Sequence, residues 1–341
     1  MTDSTQDDDR TGGVAAAAPA PSGGATPAAG AAPAGGARVP LPQSGVIVPL
    51  VTPLLPDRSV DAASAATLVE HVLSAGVDGV LALGSTGESG ALSAADREAS
   101  VAATVAAVGR RAHVMAGLPA MGTADAVADA RRWEALGADS LLLAAPFVFP
   151  PSQTELVEHF GAVADAVGIP LVAYDVPGRA HVALSPGLLA QLAADGAIAG
   201  VKDSTNVLSN AQGVLAATAQ VPGFVRATGS EESIDGLLLS GYDIAVPGLA
   251  NVLPGLHVAL ARHARAGEWE QAAARQREIA GLLGLYAAPL AGATPTTAFF
   301  AAVKEALRQR GVIEHATLSA PFAQPDEAVA EHVRAWLARV G

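Results

Sequence analysis

The sequence predicts an α/β fold, a closed (β/α)8 barrel of the TIM type with helices appended at its C-terminal end. Three observations predict it. Eight short, almost continuously apolar runs recur along the chain, helical patterns separate them, and after the eighth run the helical periodicity continues with no further strand.

The runs are VIVPL (46–50), GVLALG (79–84), HVMAG (113–117), SLLLAA (140–145), PLVAYD (170–175), AIAGVKD (197–203), FVRATG (224–229) and DIAVPG (243–248). Continuous rather than alternating apolar character marks strands buried on both faces, as in a parallel sheet covered by helices. Eight such units within about 220 residues suit a closed barrel; an open doubly wound sheet is the second architecture. Helix starts are marked by Ser93 with Asp96, by Ser152 with Glu155, and by the Ser185-Pro186 pair. Glycines before seven of the strands, Gly76, Gly109, Gly137, Gly168, Gly196, Gly223 and Gly241, are expected to end the preceding helices in left-handed backbone.

Residues 1–40 are dominated by Ala, Gly, Pro and Ser and lack bulky apolar periodicity, so a disordered tail is expected there. The barrel is expected over 44–266. A C-terminal helical segment is expected over 267–341, including helices near 297–310 and 327–340.

Composition narrows the function. A formal charge of −13 argues against nucleic acid as a partner. The apolar runs fall short of the ~18 residues of a membrane span, and the acidic start, MTDSTQDDDR, is unlike a secretory signal. A cytoplasmic protein without membrane attachment is expected. Zero cysteines exclude disulfides, thiolate metal sites and a cysteine nucleophile. The eight histidines form no ligand pattern, so no metal is expected.

Active sites of such barrels lie at the C-terminal ends of the strands, which singles out Ser85-Thr86, Tyr174, Arg179 and Lys202. The chain has two lysines among its 20 basic residues, and one, Lys202, ends the apolar run AIAGV. Ion pairs can be made with arginine, whereas a Schiff base needs a primary amine that can lose its proton, and burial favours that loss. The plainer alternative is a lysine reaching outward to pair with Asp203 or another acid. Tyr174 could pass protons during imine formation, or simply cap the barrel core. Arg179 could grip a carboxylate or form a surface ion pair. The run GSTGES (84–89) offers hydroxyls and backbone N–H groups for a small carboxylate, and its spacing fits neither the dinucleotide nor the P-loop pattern. The second lysine, Lys304, falls in an amphipathic helix.

Taken together, GSTGES, YDVPGR and GVKDST, in this order at successive strand ends, resemble the family of dihydrodipicolinate synthase and N-acetylneuraminate lyase, over about residues 44–315. The resemblance implies a class I aldolase or lyase on a (β/α)8 barrel, acting on pyruvate or another 2-keto acid without a cofactor, and assembling as a dimer or tetramer. It implies that Lys202 forms the Schiff base and that Tyr174 gives and takes protons. Ser85 and Thr86 would bind the keto-acid carboxylate, and Val246, in DIAVPGLAN, would turn its backbone to the keto acid.

Departures from the family pattern bear on the substrate. Where the synthases carry a second tyrosine, APFVFPPSQ places Val148 between Phe147 and Phe149. Ala94, Arg97 and Met121 stand where lysine-regulated synthases have polar or histidine residues, so no lysine inhibition is expected. Arg179 keeps synthase-like condensation of pyruvate with aspartate semialdehyde in first place. A 2-keto-3-deoxy sugar acid aldolase or dehydratase is the alternative, and a non-catalytic keto-acid-binding barrel comes after it. A phosphosugar site after strands seven and eight is opposed by the Glu231-Glu232 pair.

Overall fold

The computed structural model describes residues 37–119 and 122–340. Most of the tail expected to be disordered, up to residue 36, lies outside the described residues, as does Met121. In chain order the elements are β1 (Gly45–Pro49), α1 (Ala62–Ser74), β2 (Gly79–Ala82), α2 (Ala94–Val108), β3 (His113–Leu118), α3 (Thr123–Leu136), β4 (Ser140–Ala144) and α4 (Gln153–Ala164). They continue with β5 (Leu171–Asp175), α5 (Pro177–Ala180), α6 (Pro186–Ala194), β6 (Gly200–Asp203), α7 (Leu208–Thr218), β7 (Val225–Thr228), α8 (Ile234–Ser240) and β8 (Ile244–Ala245). Helices α9 (Pro254–Arg265), α10 (Trp269–Leu282), α11 (Pro295–Gln309) and α12 (Glu327–Leu337) complete the chain.

All strand pairs are parallel, and β8 pairs with β1 through Gly45↔Ile244 and Val46↔Ala245, which closes the barrel. That closure rules out the open doubly wound sheet. Nearly every strand residue is buried, because the interior is filled by side chains and the outer face is covered by helices such as α3 and α4, whose Trp133 and Phe160 are fully buried. Among the described residues no helix is long and apolar enough to cross a membrane.

Local signals act as the sequence implies. Ser93 Oγ accepts the Asp96 N–H, Ser152 and Glu155 form a reciprocal capping box, and Ser185 caps α6 with Pro186 in its first turn. Six of the seven glycines adopt positive φ. Gly168 does not; its N–H bonds the Glu134 carboxylate instead. The chain docks to the barrel floor from residue 38 onward: Arg38 donates to the Ala138 carbonyl and Val39 N–H to Asp139.

The C-terminal helices wrap back onto the barrel. In α12, Val329, Val333 and Trp336 recur at helical spacing and are buried, and the Trp336 indole donates to the Leu282 carbonyl at 2.8 Å. In α11 a run of residues from Thr297 to Leu307 is almost wholly buried, including Lys304 and Glu305.

One close approach positions the functional end of the barrel. Leu83, just after β2, has φ of +54° and directs its carbonyl at Gly117 on β3, where an added Cβ would sit 2.1 Å from that oxygen. Only glycine accommodates this neighbour without a backbone shift. Gly117→Ala is therefore expected to destabilise the fold by about 1–3 kcal/mol, read as a lowered denaturation midpoint; an unchanged midpoint would show that the turn after β2 relaxes freely.

Candidate active site

Strand alternation divides the residues at the ends of β5 and β6 into two layers. Tyr174 pairs in register with Lys202, and Asp175 pairs with Asp203. The first layer carries the candidate chemistry. Lys202 Nζ lies 4.2 Å from the centroid of the Tyr174 ring, and the two residues are 5 % and 9 % exposed. Gly229, just beyond β7, leaves the room: a Cβ there would come within 3.5 Å of Lys202 Cε and collide with the Ser204 hydroxyl.

The turn after β2 brings the third group. Ser85–Gly87 forms one 3₁₀ turn, closed by Gly87 N–H to the Gly84 carbonyl and Glu88 N–H to that of Ser85. As the first residues of that turn, Ser85 and Thr86 present N–H groups that the turn itself cannot satisfy. Thr52 Oγ1 holds the turn by donating to the Gly87 carbonyl at 2.8 Å. Ser85 Oγ then stands 3.5 Å from the Tyr174 hydroxyl.

Ser85, Tyr174 and Arg179 line one cavity of about 640 Å³ at this end of the barrel. Lys202 is not among the lining residues; it stands against the ring of Tyr174, which is one of them. Thr86 is half-buried on the same turn and Val246 is buried just past β8; neither is among the lining residues. The Val246 N–H is bonded to the Thr228 carbonyl at 2.8 Å, leaving the Val246 carbonyl as the group a ligand could meet. Arg179, on the short α5, is exposed at the rim. Val148 is exposed between Phe147 and Phe149, at 44 % against 40 % and 84 %.

The electrostatics favour proton exchange at Tyr174. Burial alone would raise its pKa, but Lys202, the Ser85 hydroxyl, Arg179 and Ser204 outweigh it and hold the phenol at about 8. A phenol so placed can both give and take a proton near neutral pH.

The second layer faces the helices. Asp203 accepts the Tyr242 hydroxyl at 2.8 Å and the Thr205 N–H and hydroxyl at 2.8 and 2.7 Å. Asn210 Nδ2 bridges Asp175 and Asp203 at 3.3 Å each. The Asp203 carboxylate is thus committed away from Lys202, which removes the plain ion-pair reading of that lysine. Burial raises the Asp175 pKa to about 6; Asp203 adds to the rise, against the lowering by the Leu184 N–H and Asn210.

Several wall residues escaped the sequence reading. Glu88 and Ser89 stand inside GSTGES, while Thr296, Phe300 and Ala320–Phe322 come from the C-terminal segment. Only Glu88 and Ser89 carried a local signal, their place in the motif. Elsewhere, buried Glu231 accepts the Leu249 N–H at 2.9 Å and the Tyr286 hydroxyl at 2.6 Å. A carboxylate already occupies a backbone donor in the loop after β8, which disfavours a phosphate there. Among the described residues no three His, Asp or Glu side chains converge as metal ligands do.

Two outcomes are expected. The three tyrosines of the chain separate on alkaline titration, because burial and neighbouring carboxylates raise Tyr242 and Tyr286. One tyrosinate should appear with a midpoint of about 8 and vanish in Tyr174→Phe; three tyrosinates titrating together would refute the assignment. The folded state holds the Asp175 proton more tightly than the unfolded chain, so its ionisation disfavours folding as pH rises from 3.8 through about 6. Asp175→Asn should match wild type below that window and exceed its stability above it by on the order of 1–3 kcal/mol, in thermal melts across the window. A pH-independent difference would contradict the shift.

The dihydrodipicolinate synthetase family model matches residues 42–340. The 4-hydroxy-tetrahydrodipicolinate synthase of Xanthomonas campestris pv. campestris is 36% identical over 250 residues, covering 72% of this chain and 82% of that protein. The dihydrodipicolinate synthase structure from Bacteroides thetaiotaomicron superposes with a TM-score of 0.82 at 28% identity, over 88% of this chain and 100% of that one. That of Acinetobacter baumannii, complexed with pyruvate, gives 0.78 at 30% identity, over 87% and 98%. With its closed barrel, its paired Tyr174 and Lys202 and this likeness over most of its length, the chain belongs to the dihydrodipicolinate synthetase family of class I pyruvate-dependent aldolases.

Proposed function

We propose that the protein is a Schiff-base-forming lyase in which Lys202 attacks the ketone of pyruvate or a related 2-keto acid, and that its reaction is most like that of 4-hydroxy-tetrahydrodipicolinate synthase. The observation that carries this is the approach of Lys202 Nζ to the Tyr174 ring, with the Tyr174 hydroxyl 3.5 Å from Ser85 Oγ in the cavity wall. Several curated relatives are synthases of that name, and the Acinetobacter baumannii relative was solved with pyruvate.

The chemistry follows from the placement. The Lys202 amine adds to C2 of the keto acid, giving a carbinolamine. Tyr174 donates a proton to the departing hydroxyl, which leaves as water and forms the imine. The Tyr174 phenolate left by that step takes a proton from C3 to give an enamine, whose carbon attacks the aldehyde, pyruvate and aspartate semialdehyde being the expected pair. Tyr174 returns the proton to the new alkoxide, and attack of water or of the product's own amine on the imine frees Lys202. The imine is itself the electron sink, so the route requires no cofactor. Ser85, Thr86 and the Val246 carbonyl would hold the keto acid, and Arg179 at the rim would receive the carboxylate of the second substrate.

The second reading is an aldolase or dehydratase of a 2-keto-3-deoxy sugar acid. It is favoured by Val148, which brings no hydroxyl to the place where the synthases have a tyrosine. The pyruvate half of the chemistry is common to both readings, and an aldehyde screen separates them.

The barrel over 44–266 and the C-terminal segment over 267–341 would then act as one catalytic body in the cytoplasm, where free keto acids are consumed. The exposed Phe147, Val148 and Phe149 support assembly into dimers or tetramers, since consecutive apolar side chains in water are unfavourable.

Borohydride reduction in the presence of pyruvate should leave a stable adduct on the Lys202 peptide and none in Lys202→Ala. Tyr174→Phe should still reach the adduct, but form it more slowly, while turnover falls by roughly 10²–10⁴-fold. Reversible keto-acid binding with no trapped adduct in wild type would promote the non-catalytic barrel and sink the Schiff-base assignment.

A further inference from the structure

Lys304, the second lysine, is fully buried on α11, with Nζ 2.5 Å from Glu88 Oε1, whose side chain is equally enclosed. The same ammonium donates to the Thr317 carbonyl at 2.8 Å. The other oxygen of Glu88 accepts both the N–H and the hydroxyl of Ser319, at 2.7 and 2.8 Å. One carboxylate thus ties the turn after β2 to two pieces of the C-terminal segment. Burial pushes the Lys304 ammonium below its ordinary pKa, and the Glu88 carboxylate opposes that fall.

Such a pair is a poor device for stability alone, because taking two charges out of water is costly and apolar side chains of similar volume serve at least as well. Its geometry indicates another role. Glu88 has left-handed backbone, φ 56° and ψ 25°, uncommon for a residue with a side chain. Its N–H closes the 3₁₀ turn onto the Ser85 carbonyl at 3.1 Å. The conformation that presents Ser85 and Thr86 is therefore held at its far end by Glu88. Directly beyond Ser319, Ala320, Pro321 and Phe322 line the cavity.

We infer that Lys304, Glu88 and Ser319 form a positioning strut that sets the Ser85-Thr86 turn for the keto-acid carboxylate, making the C-terminal helices part of the active site. The inference rests on the keto-acid reading given under Proposed function. None of the three residues is asked to touch reacting atoms. The strut acts through the turn, so its loss should weaken carboxylate binding while sparing the intrinsic reactivity of Lys202.

The test is borohydride trapping on the full chain as a function of pyruvate concentration, in wild type, Lys304→Met and Ser319→Ala. Lys304→Met keeps the length and removes the charge; Ser319→Ala removes one bond to Glu88 and leaves the ion pair. The expected result is a rise in half-saturating pyruvate of roughly ten- to a hundredfold for Lys304→Met and a smaller rise for Ser319→Ala, with the adduct yield at saturation close to wild type. A folded Lys304→Met with lowered thermal stability and unchanged half-saturation would overturn the proposal. If Lys304→Met does not fold, Ser319→Ala decides alone, and unchanged half-saturation in it overturns the proposal equally. Absence of any adduct in wild type would mark a different failure, that of the Schiff-base reading itself.

Discussion

The parallel pairing of β5 with β6 is the constraint on which the rest of the site depends. Neighbouring strands stand ~4.8 Å apart, and their register sets Tyr174 directly opposite Lys202. Two polar side chains at matched positions on adjacent strands must point to the same face. No loop adjustment is needed to bring amine and phenol together, and the barrel, being closed, cannot slip this register without breaking pairings all round.

The same alternation turns the next matched pair, Asp175 and Asp203, to the opposite face. Two carboxylates so close, with little water, are stable only with dense hydrogen bonding or a shared proton. Asn210, Tyr242, Thr205 and the Leu184 N–H supply the bonds. These donors also keep Asp203 from Lys202, so that the ammonium is not locked in an ion pair with the next residue. The acidic layer outside and the Tyr174–Lys202 layer inside come from two successive pairs of one four-pair register.

The turn after β2 depends on distant partners in a different way. Leu83 and Glu88 bracket it with left-handed backbone, and each strained residue is held by tertiary contact: the Leu83 carbonyl by the empty space at Gly117, the Glu88 carboxylate by Lys304 and Ser319. One end of the turn is thus tied directly to the C-terminal segment. Helices that look appended in sequence complete the wall of the cavity with Thr296, Phe300 and Phe322.

Much was legible in the sequence because it depended on short-range pattern. Apolar runs bounded by caps and glycines gave all eight strands to within a few residues, since burial on both faces demands continuous hydrophobicity and helix ends demand particular backbone. Rarity singled out Lys202 and Tyr174 at strand ends, and the barrel sets these two side by side. What the sequence could not determine was long-range pairing. That Lys304 meets Glu88, that Asp203 is claimed by Tyr242 and Asn210, and that residues 320–322 wall the cavity all require segments far apart in the chain to be packed together. Periodicity fixes which face of an element is buried, but which charge lies across from it is decided only when the barrel closes and the last helices dock.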